Sequence, residues 1–245
     1  MIRGLYTAYS GIWSALTRQD VVADNIANVN TVGFKQSRTD QFDYTIGVMN
    51  TLGPSLGKLG TATEPSELRL DVSQGAIEVT GVISDLAIEG DGLFEVLTGN
   101  GIAYTRAGDF AVDANGMLTT QQGYPVLDTA GHTITTGQTF VVAPDGTVSR
   151  IQPNGTAVST GQRIALVAWP VGGITRLGEN LYAAGGQLPP ATGTIRQLAI
   201  EHSNTDMALE MSEMITLQRS FQLSARALSL QDTTVDNAIG LGRLR

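Results

Sequence analysis

The sequence predicts an α+β fold in which long N- and C-terminal helices, a coiled-coil-like pair, flank a central and mainly antiparallel β domain. Three observations carry this expectation. Apolar residues step by three and four from Leu5 to Val29, and again from Met207 to Ile239. Between these stretches, Asn-Gly and Asp-Gly pairs punctuate short apolar runs. Composition agrees, since 29 glycines and a charged fraction of 16% favour turn-rich β structure, while 42% apolar residues permit a core within 245 residues.

The first element is read from Leu5, Ala8, Ile12, Ala15, Gln19, Val22, Ile26 and Val29, whose alternating spacing puts one narrow stripe along a helix. Such a stripe is buried either against other helices or on the chain's own domain. A helix over about 5–29 would be nearly 40 Å long at about 1.5 Å per residue. The Asn-rich stretch that follows ends it: Asn28 and Asn30 tolerate non-helical backbone, Gly33 permits positive φ, and Phe34 is available to pin the exit. A plain helix cap with no role between subunits would need the same residues.

Residues 36–74, with TLGPSLGKLGTATEP inside them, read as an irregular or extended connector. Residues 75–200 read as the β domain. Turn signals recur at GDG (90–92), GNG (99–101), ANG (114–116), DTAG (128–131), PDG (144–146) and PNG (153–155), with strand-like runs such as LFEVLT and RIALVAW between them.

The final element, within 201–245, has Met207, Met211, Met214, Gln218, Phe221, Ala225, Leu228, Asp232, Val235 and Ile239 at alternating spacings of four and three, broken by Gln218 and Asp232. Asn204 or Thr205 is the expected cap, with Asp206, Glu210 and Glu213 near the positive end of the helix dipole. A helix over about 205–239 would be roughly 50 Å long. Two such stripes at opposite ends of a chain suit one another. Neither one another nor the β domain's surface is expected to cover both stripes fully, so other subunits are implied.

Several chemistries are excluded. The net charge is −8, with balances of +1 over residues 1–40 and −2 over 198–245, and nothing concentrates Lys and Arg against nucleic-acid phosphate. With no cysteine there is no disulfide, thiol catalysis or Cys-ligated metal. His132 and His202 stand far apart and read as surface or turn residues. DFAVDANGML fails as a calcium loop, because Ala111 and Gln122 fall where carboxylates are needed. GDGLFE has Glu95 where a dinucleotide fingerprint needs its third glycine. The sequon Asn154-Gly155-Thr156 reads as a turn. IALVAWPVGGI (164–174) is too short for a membrane span and is broken by Pro170. YTAYSGIWSAL alternates where a secretory signal needs a solid apolar block, so the expectation is either residence in the cytosol or export by another route. No cofactor, no small-molecule substrate and no nucleic acid is expected.

ADNIANVNTVGFKQSR (23–38) resembles the N-terminal signature of bacterial flagellar rod and hook proteins, carried here by Asn25, Ala27, Asn28, Asn30, Thr31, Gly33, Phe34 and Lys35. The same family's C-terminal segment is matched by Ser203, Asn204, Glu210, Met211, Met214, Ile215, Gln218, Arg219, Phe221 and Asp232. DLAIEGDGLFEV (85–96) and YTRAGDFAVDANGMLTTQQGYPVL (104–127) resemble the family's central blocks. Arg226 stands where lysine is usual, Asp24 replaces the first Ser or Asn, and Thr205 and Met207 soften the C-terminal motif. The length suits rod proteins of intermediate size. IGLGRLR leans toward the distal rod type, which is favoured, and GYPVLDTAGHTI toward the proximal.

The resemblance implies a subunit of the basal-body rod, the axial shaft that passes torque to the hook. It implies helical self-assembly, with terminal helices packed as inner layers and β domains outward. It further implies export as an unfolded chain through the flagellar type III apparatus, and other rod and hook proteins as neighbours. The residues then expected to contact sister copies are Leu5, Ala8, Ile12, Ala15, Val22, Ile26 and Val29 at the N-terminus. At the C-terminus they are Ser203, Asn204, Met211, Met214, Ile215, Gln218, Arg219, Phe221, Ala225 and Leu228. Two other classes stay open on residues alone. One is a phage-tail or fibrous adhesin-like trimer; the other is a β-helical polysaccharide enzyme, which would need acids clustered on one face.

Overall fold

A computed structural model describes residues 2–39, 41–47, 58–65, 68–152, 155–170 and 174–242. The chain divides into two compact units, which it joins by four crossings. The first holds Met1–Ala27, Gln36–Asp71 and Asp206–Arg245; the second holds Asn28–Lys35 and Val72–Thr205.

In the first unit, helix α1 (Ile2–Ala27) packs on helix α2 (Met207–Gly242). Strand Gln41–Gly47 pairs antiparallel with Lys58–Pro65, and Ser37–Arg38 pairs with Arg69–Leu70, so the stretch read as a connector holds four strands. Neither helix has an internal proline, which leaves their hydrogen-bond ladders uninterrupted. The α2 cap is Asp206, where Asn204 or Thr205 was expected. Its carboxylate accepts the N–H groups of Ala208 at 2.9 Å and Leu209 at 3.3 Å, satisfying two orphan donors of the first turn.

The expected stripe of α1 is withdrawn from solvent: Ala8, Ala15 and Val22 are buried, and Ile12, Gln19 and Ile26 half-buried. The side chain of Leu5 lies outside the described residues. On α2 the residues withdrawn from solvent include Glu210, Met214, Leu217, Phe221, Ser224, Ala225, Leu228, Gln231 and Val235, with Glu210 and Leu217 buried. At three positions the expected α2 stripe is therefore shifted by one residue: Glu210 is inside where Met211 was expected, Leu217 where Gln218 was, and Gln231 where Asp232 was. The helices come close at Gly11, where an added Cβ would lie 3.0 Å from Ser224 Oγ.

These features correct the predicted fold class. The helix pair does not show the packing of a coiled coil, and among the described residues eighteen strands lie in several small antiparallel sheets, so that the central domain is mainly β and the helices are two. A coiled coil needs apolar knobs repeated along both helices. Here Ser10, Ser14 and Asn25 are buried on α1, and Glu210, Ser224 and Gln231 stand in the withdrawn row of α2.

The second unit is built from small antiparallel sheets. Five strands run in the order Leu166–Val167, Leu93–Thr98, Gly101–Thr105, Leu181–Ala184 and Ile174–Gly178. Three more, Phe140–Val142, Thr147–Ile151 and Ala157–Arg163, form a meander. Two-stranded pairs join Leu86–Glu89 to Thr194–Gln197 and Ile77–Val79 to Ala199–Glu201. Leu86, Phe94, Val96, Phe110, Leu118, Val126, Ile134, Phe140, Ile164 and Ile195 form one core, with Phe94 and Phe110 edge to face at 5.0 Å. The turns follow the sequence signals. At Asp113 the carboxylate accepts the N–H of Asn115 and of Met117, both at 2.8 Å, and Gly116 takes φ of +78°. Pro153 and Asn154 of the last predicted turn lie outside the described residues.

Candidate functional site

The signature stretch divides between the two units after Ala27. In the first unit, Asn25 is buried and works as a bracket. Its Nδ2 donates to the Ser37 carbonyl at 2.9 Å, its Oδ1 accepts the Ser37 N–H at 2.9 Å, and Nδ2 also reaches Glu210 Oε2 at 3.2 Å. Gln36 Nε2 donates to the other oxygen of Glu210. Only an amide of this length offers the peptide both a donor and an acceptor, which explains an asparagine here. Arg18 pairs with Glu213 at 2.7 Å across the same helices.

In the second unit, Gly33 takes φ of +68° and lies against the Arg106–Ala107 peptide, where a Cβ would meet the Arg106 carbonyl carbon at 2.4 Å. Its N–H donates to the Glu201 carbonyl at 2.7 Å. Phe34 is buried, with the Arg176 guanidinium 4.5 Å above its ring. Arg176 also donates to the Lys35 carbonyl, and Asn180 Nδ2 to that of Val32 at 2.7 Å.

Lys35 is completely buried, and so in effect are Arg106 and Glu201. Lys35 Nζ donates to Glu201 Oε1 at 2.6 Å and to the Ser73 carbonyl at 2.6 Å. Arg106 Nε donates to Glu201 Oε2 at 2.7 Å. The rest of the guanidinium donates to the carbonyls of Gly92 (2.5 Å), Ile88 (2.9 Å) and Gly90 (2.7 Å). The Gly75 N–H closes on Glu201 Oε1 at 2.9 Å. Two cations thus share one carboxylate, and carbonyl dipoles receive the surplus positive charge. Burial is tolerable because the charges are paired and hydrogen-bonded. Lys35 was legible as part of the signature, and Arg106 lay within a quoted block. Glu201 carried no local signal, since its partners are far away in sequence.

A second surface is apolar and uncovered. On α1, Tyr6, Tyr9, Trp13 and Leu16 form an exposed row, with Trp13 57% exposed. On α2, Leu209, Leu223 and Leu230 recur at multiples of seven with Thr216 between them, and Met211 and Ile215 lie exposed beside that row. Of the residues expected to contact sister copies, Met211, Ile215, Gln218 and Arg219 are exposed. Met214, Phe221, Ala225, Leu228, Ser203, Asn204 and Val29 are half-buried. Of the remaining signature residues, Ala27 and Asn30 are exposed, and Asn28 and Thr31 half-buried. Sequence reasoning did not single out Tyr6, Tyr9, Trp13 or Leu16, although their own three-and-four spacing was available. Among the described residues no cluster of three or more His, Asp or Glu is placed to hold a metal. His132 is exposed, and His202 Nε2 lies 2.5 Å from Glu78 Oε2.

Comparison with known proteins gives this build a class. The family description "Flagella basal body rod protein" matches residues 5–35, "Flagellar hook protein FlgE/F/G D1 domain" matches 87–150, and "Flagellar basal body rod FlgEFG protein C-terminal" matches 196–241. The chain is therefore of the flagellar hook-and-rod class. The flagellar basal-body rod protein FlgG of Bacillus subtilis is 37% identical, over 99% of this chain and 100% of its own length. FlgG of Borreliella burgdorferi is 34% identical over 98% and 97%, and FlgF of Escherichia coli 32% over 97% and 96%. Within that class, the chain belongs to the flagellar basal-body rod protein family. It is a structural subunit of the rod, located at the flagellar basal body, and membership implies assembly with other rod and hook proteins.

Proposed function

We propose that this subunit polymerises through the outward faces of α1 and α2, and that the resulting shaft carries torque toward the hook. The observation that supports this reading is the uncovered apolar row on each helix. An apolar row of this length on a folded chain marks a surface that another protein covers. In a helical polymer built from one kind of subunit, head-to-tail contacts that do not close supply that cover. The role is structural and not catalytic. Delivery through the flagellar type III export apparatus completes the reading, as the family resemblance implies. Residues Ala8, Ile12, Ala15, Val22 and Ile26 then serve assembly indirectly, by fixing which face α1 turns outward. Met211, Ile215, Gln218 and Arg219 serve it directly.

Chromosomal Leu223→Asp tests this. The substituted protein should be made and exported at normal levels, while electron microscopy of purified basal bodies shows rods that stop short. Full-length rods containing the substituted subunit would overturn the assignment of this face.

A further inference from the structure

The chain enters or leaves the β unit after Ala27, Lys35, Asp71 and Thr205. The last two crossings flank one short strand pair. Ile77–Val79 lies just after the first, and Ala199–Glu201 just before the second, in the register Ile77↔Glu201, Glu78↔Ile200 and Val79↔Ala199. The strands are antiparallel, so both crossings leave from the same end of the pair. Tension between them would open the pair from that end, one hydrogen bond at a time. This is the weak direction of any antiparallel pair, because the rungs are loaded singly and not together.

A knot of hydrogen bonds gathers at that end. The His202 N–H donates to the Ala76 carbonyl at 2.8 Å, one step beyond the last rung. Gly75 N–H meets the Glu201 carboxylate. An added Cβ at Gly75 would stand 2.0 Å from the His202 carbonyl oxygen, so a glycine is what lets the two backbones close there. Asn204 Nδ2 donates to the carbonyl and the hydroxyl of Ser73, both at 3.1 Å. Lys35 brings the earlier crossing into the same knot through Glu201 and Ser73, and Gly33 adds a backbone bond to Glu201. Arg106 ties the knot to the loop carbonyls of Gly90 and Gly92.

We propose that Glu201 is the keystone of a mechanical clamp, which stops force arriving through the chain crossings from unzipping the β unit. The clamp is a property of the single chain and is independent of polymerisation. With it closed, force entering near Val72 passes through Glu201 to Arg106 and the body beyond. With it open, three rungs stand between the crossings and the core.

Because the chain has no cysteine, Val72→Cys and Met207→Cys, both at exposed positions, give two unique handles for single-molecule force spectroscopy on the otherwise full-length chain. Glu201→Gln should raise the unfolding rate at a given force by roughly a hundredfold in this geometry, since it unpairs two buried cations. With handles at Thr129→Cys and Gln187→Cys, also exposed, the same substitution should change the rate far less. Lys35→Met keeps the Arg106–Glu201 pair and so keeps the fold. It should accelerate opening through the 72/207 handles by about tenfold, the loss of one charge-assisted hydrogen bond, and it provides the reading should Glu201→Gln fail to fold. Unchanged unfolding through the 72/207 handles overturns the clamp. So does an equal loss in both geometries, which would mark the cluster as a general source of stability with no direction.

Discussion

Charge bookkeeping within the Lys35–Glu201–Arg106 cluster makes a sharp thermodynamic prediction. Its three groups are not equivalent, because one anion answers two cations. Glu201→Gln leaves Lys35 and Arg106 buried with nothing between them but a neutral amide. Removing one partner of a buried pair costs about 3–5 kcal/mol, which in a unit of this size lowers the melting temperature by roughly 10–20 °C. Lys35→Met leaves a neutral pair. Arg106 Nε and the Gly75 N–H still serve the carboxylate, and the Ser73 carbonyl keeps Asn204 as its donor. The loss is then a charge-assisted hydrogen bond, about 1.5–3 kcal/mol, partly offset because methionine fills the same space. The anion should therefore cost about twice what the cation costs. Trp169 packs edge to face on Tyr182 at 5.5 Å and reports the β unit, so urea unfolding followed by its fluorescence in a Trp13→Phe background isolates the right transition. Equal costs, or a larger cost at Lys35, would refute the view that Glu201 balances both cations.

Gly33→Ala should destabilise the β unit by ~3 kcal/mol or more, because a Cβ there meets the Arg106 peptide in addition to the positive φ. Gly123→Ala, at φ +88° with open space around it, should cost only ~1 kcal/mol by the same urea assay. Ile215→Asp, on the exposed side of α2, should leave the melting of the β unit unchanged yet abolish motility in a soft-agar assay; normal swarming would count against that face. Burial, and after it the neighbouring Asp85 carboxylate, push the Asp109 carboxyl above its ordinary value, outweighing the lowering effect of a backbone hydrogen bond. A raised folded-state value means that the folded chain binds the proton more tightly, so this group opposes folding at neutral pH and the penalty fades as pH falls through its titration. Asp109→Asn should therefore stabilise the protein at pH 7 and lose that advantage in acid, as paired thermal melts would record.

The turns were the most legible part of this sequence, because an Asp or Asn before glycine specifies its own backbone. Asp113 and Gly116 form the turn expected of them, for local reasons. On α1 the spacing marked the row that the structure withdraws, Ala8, Ala15 and Val22, but not the second apolar row of Tyr6, Tyr9, Trp13 and Leu16. On α2 the reading slipped by one residue at three positions. Apolar side chains surround this helix on several sides, so spacing alone could not choose Leu217 over Gln218, or recognise that Glu210 would be buried by Asn25 and Gln36. The coiled-coil expectation failed for the same reason, since spacing does not reveal that small and polar groups occupy the contact. Glu201 was illegible from its neighbours, because a glutamate ending a strand looks like any solvated acid. Its meaning lies in Lys35 and Arg106, which sequence alone does not bring together.

The leucines at 209, 223 and 230 have a geometric consequence. Seven residues fall just short of two turns of a straight α-helix, so a row with that period creeps around the cylinder by about 20° per repeat. Over the three repeats from Leu209 to Leu230 the creep is about 60°. A ruler laid along one end of the ridge would have left it by the other. Whatever binds the whole ridge must wind with it, because a perfectly linear neighbour drifts off its line by about 20° for every ~10 Å of helix.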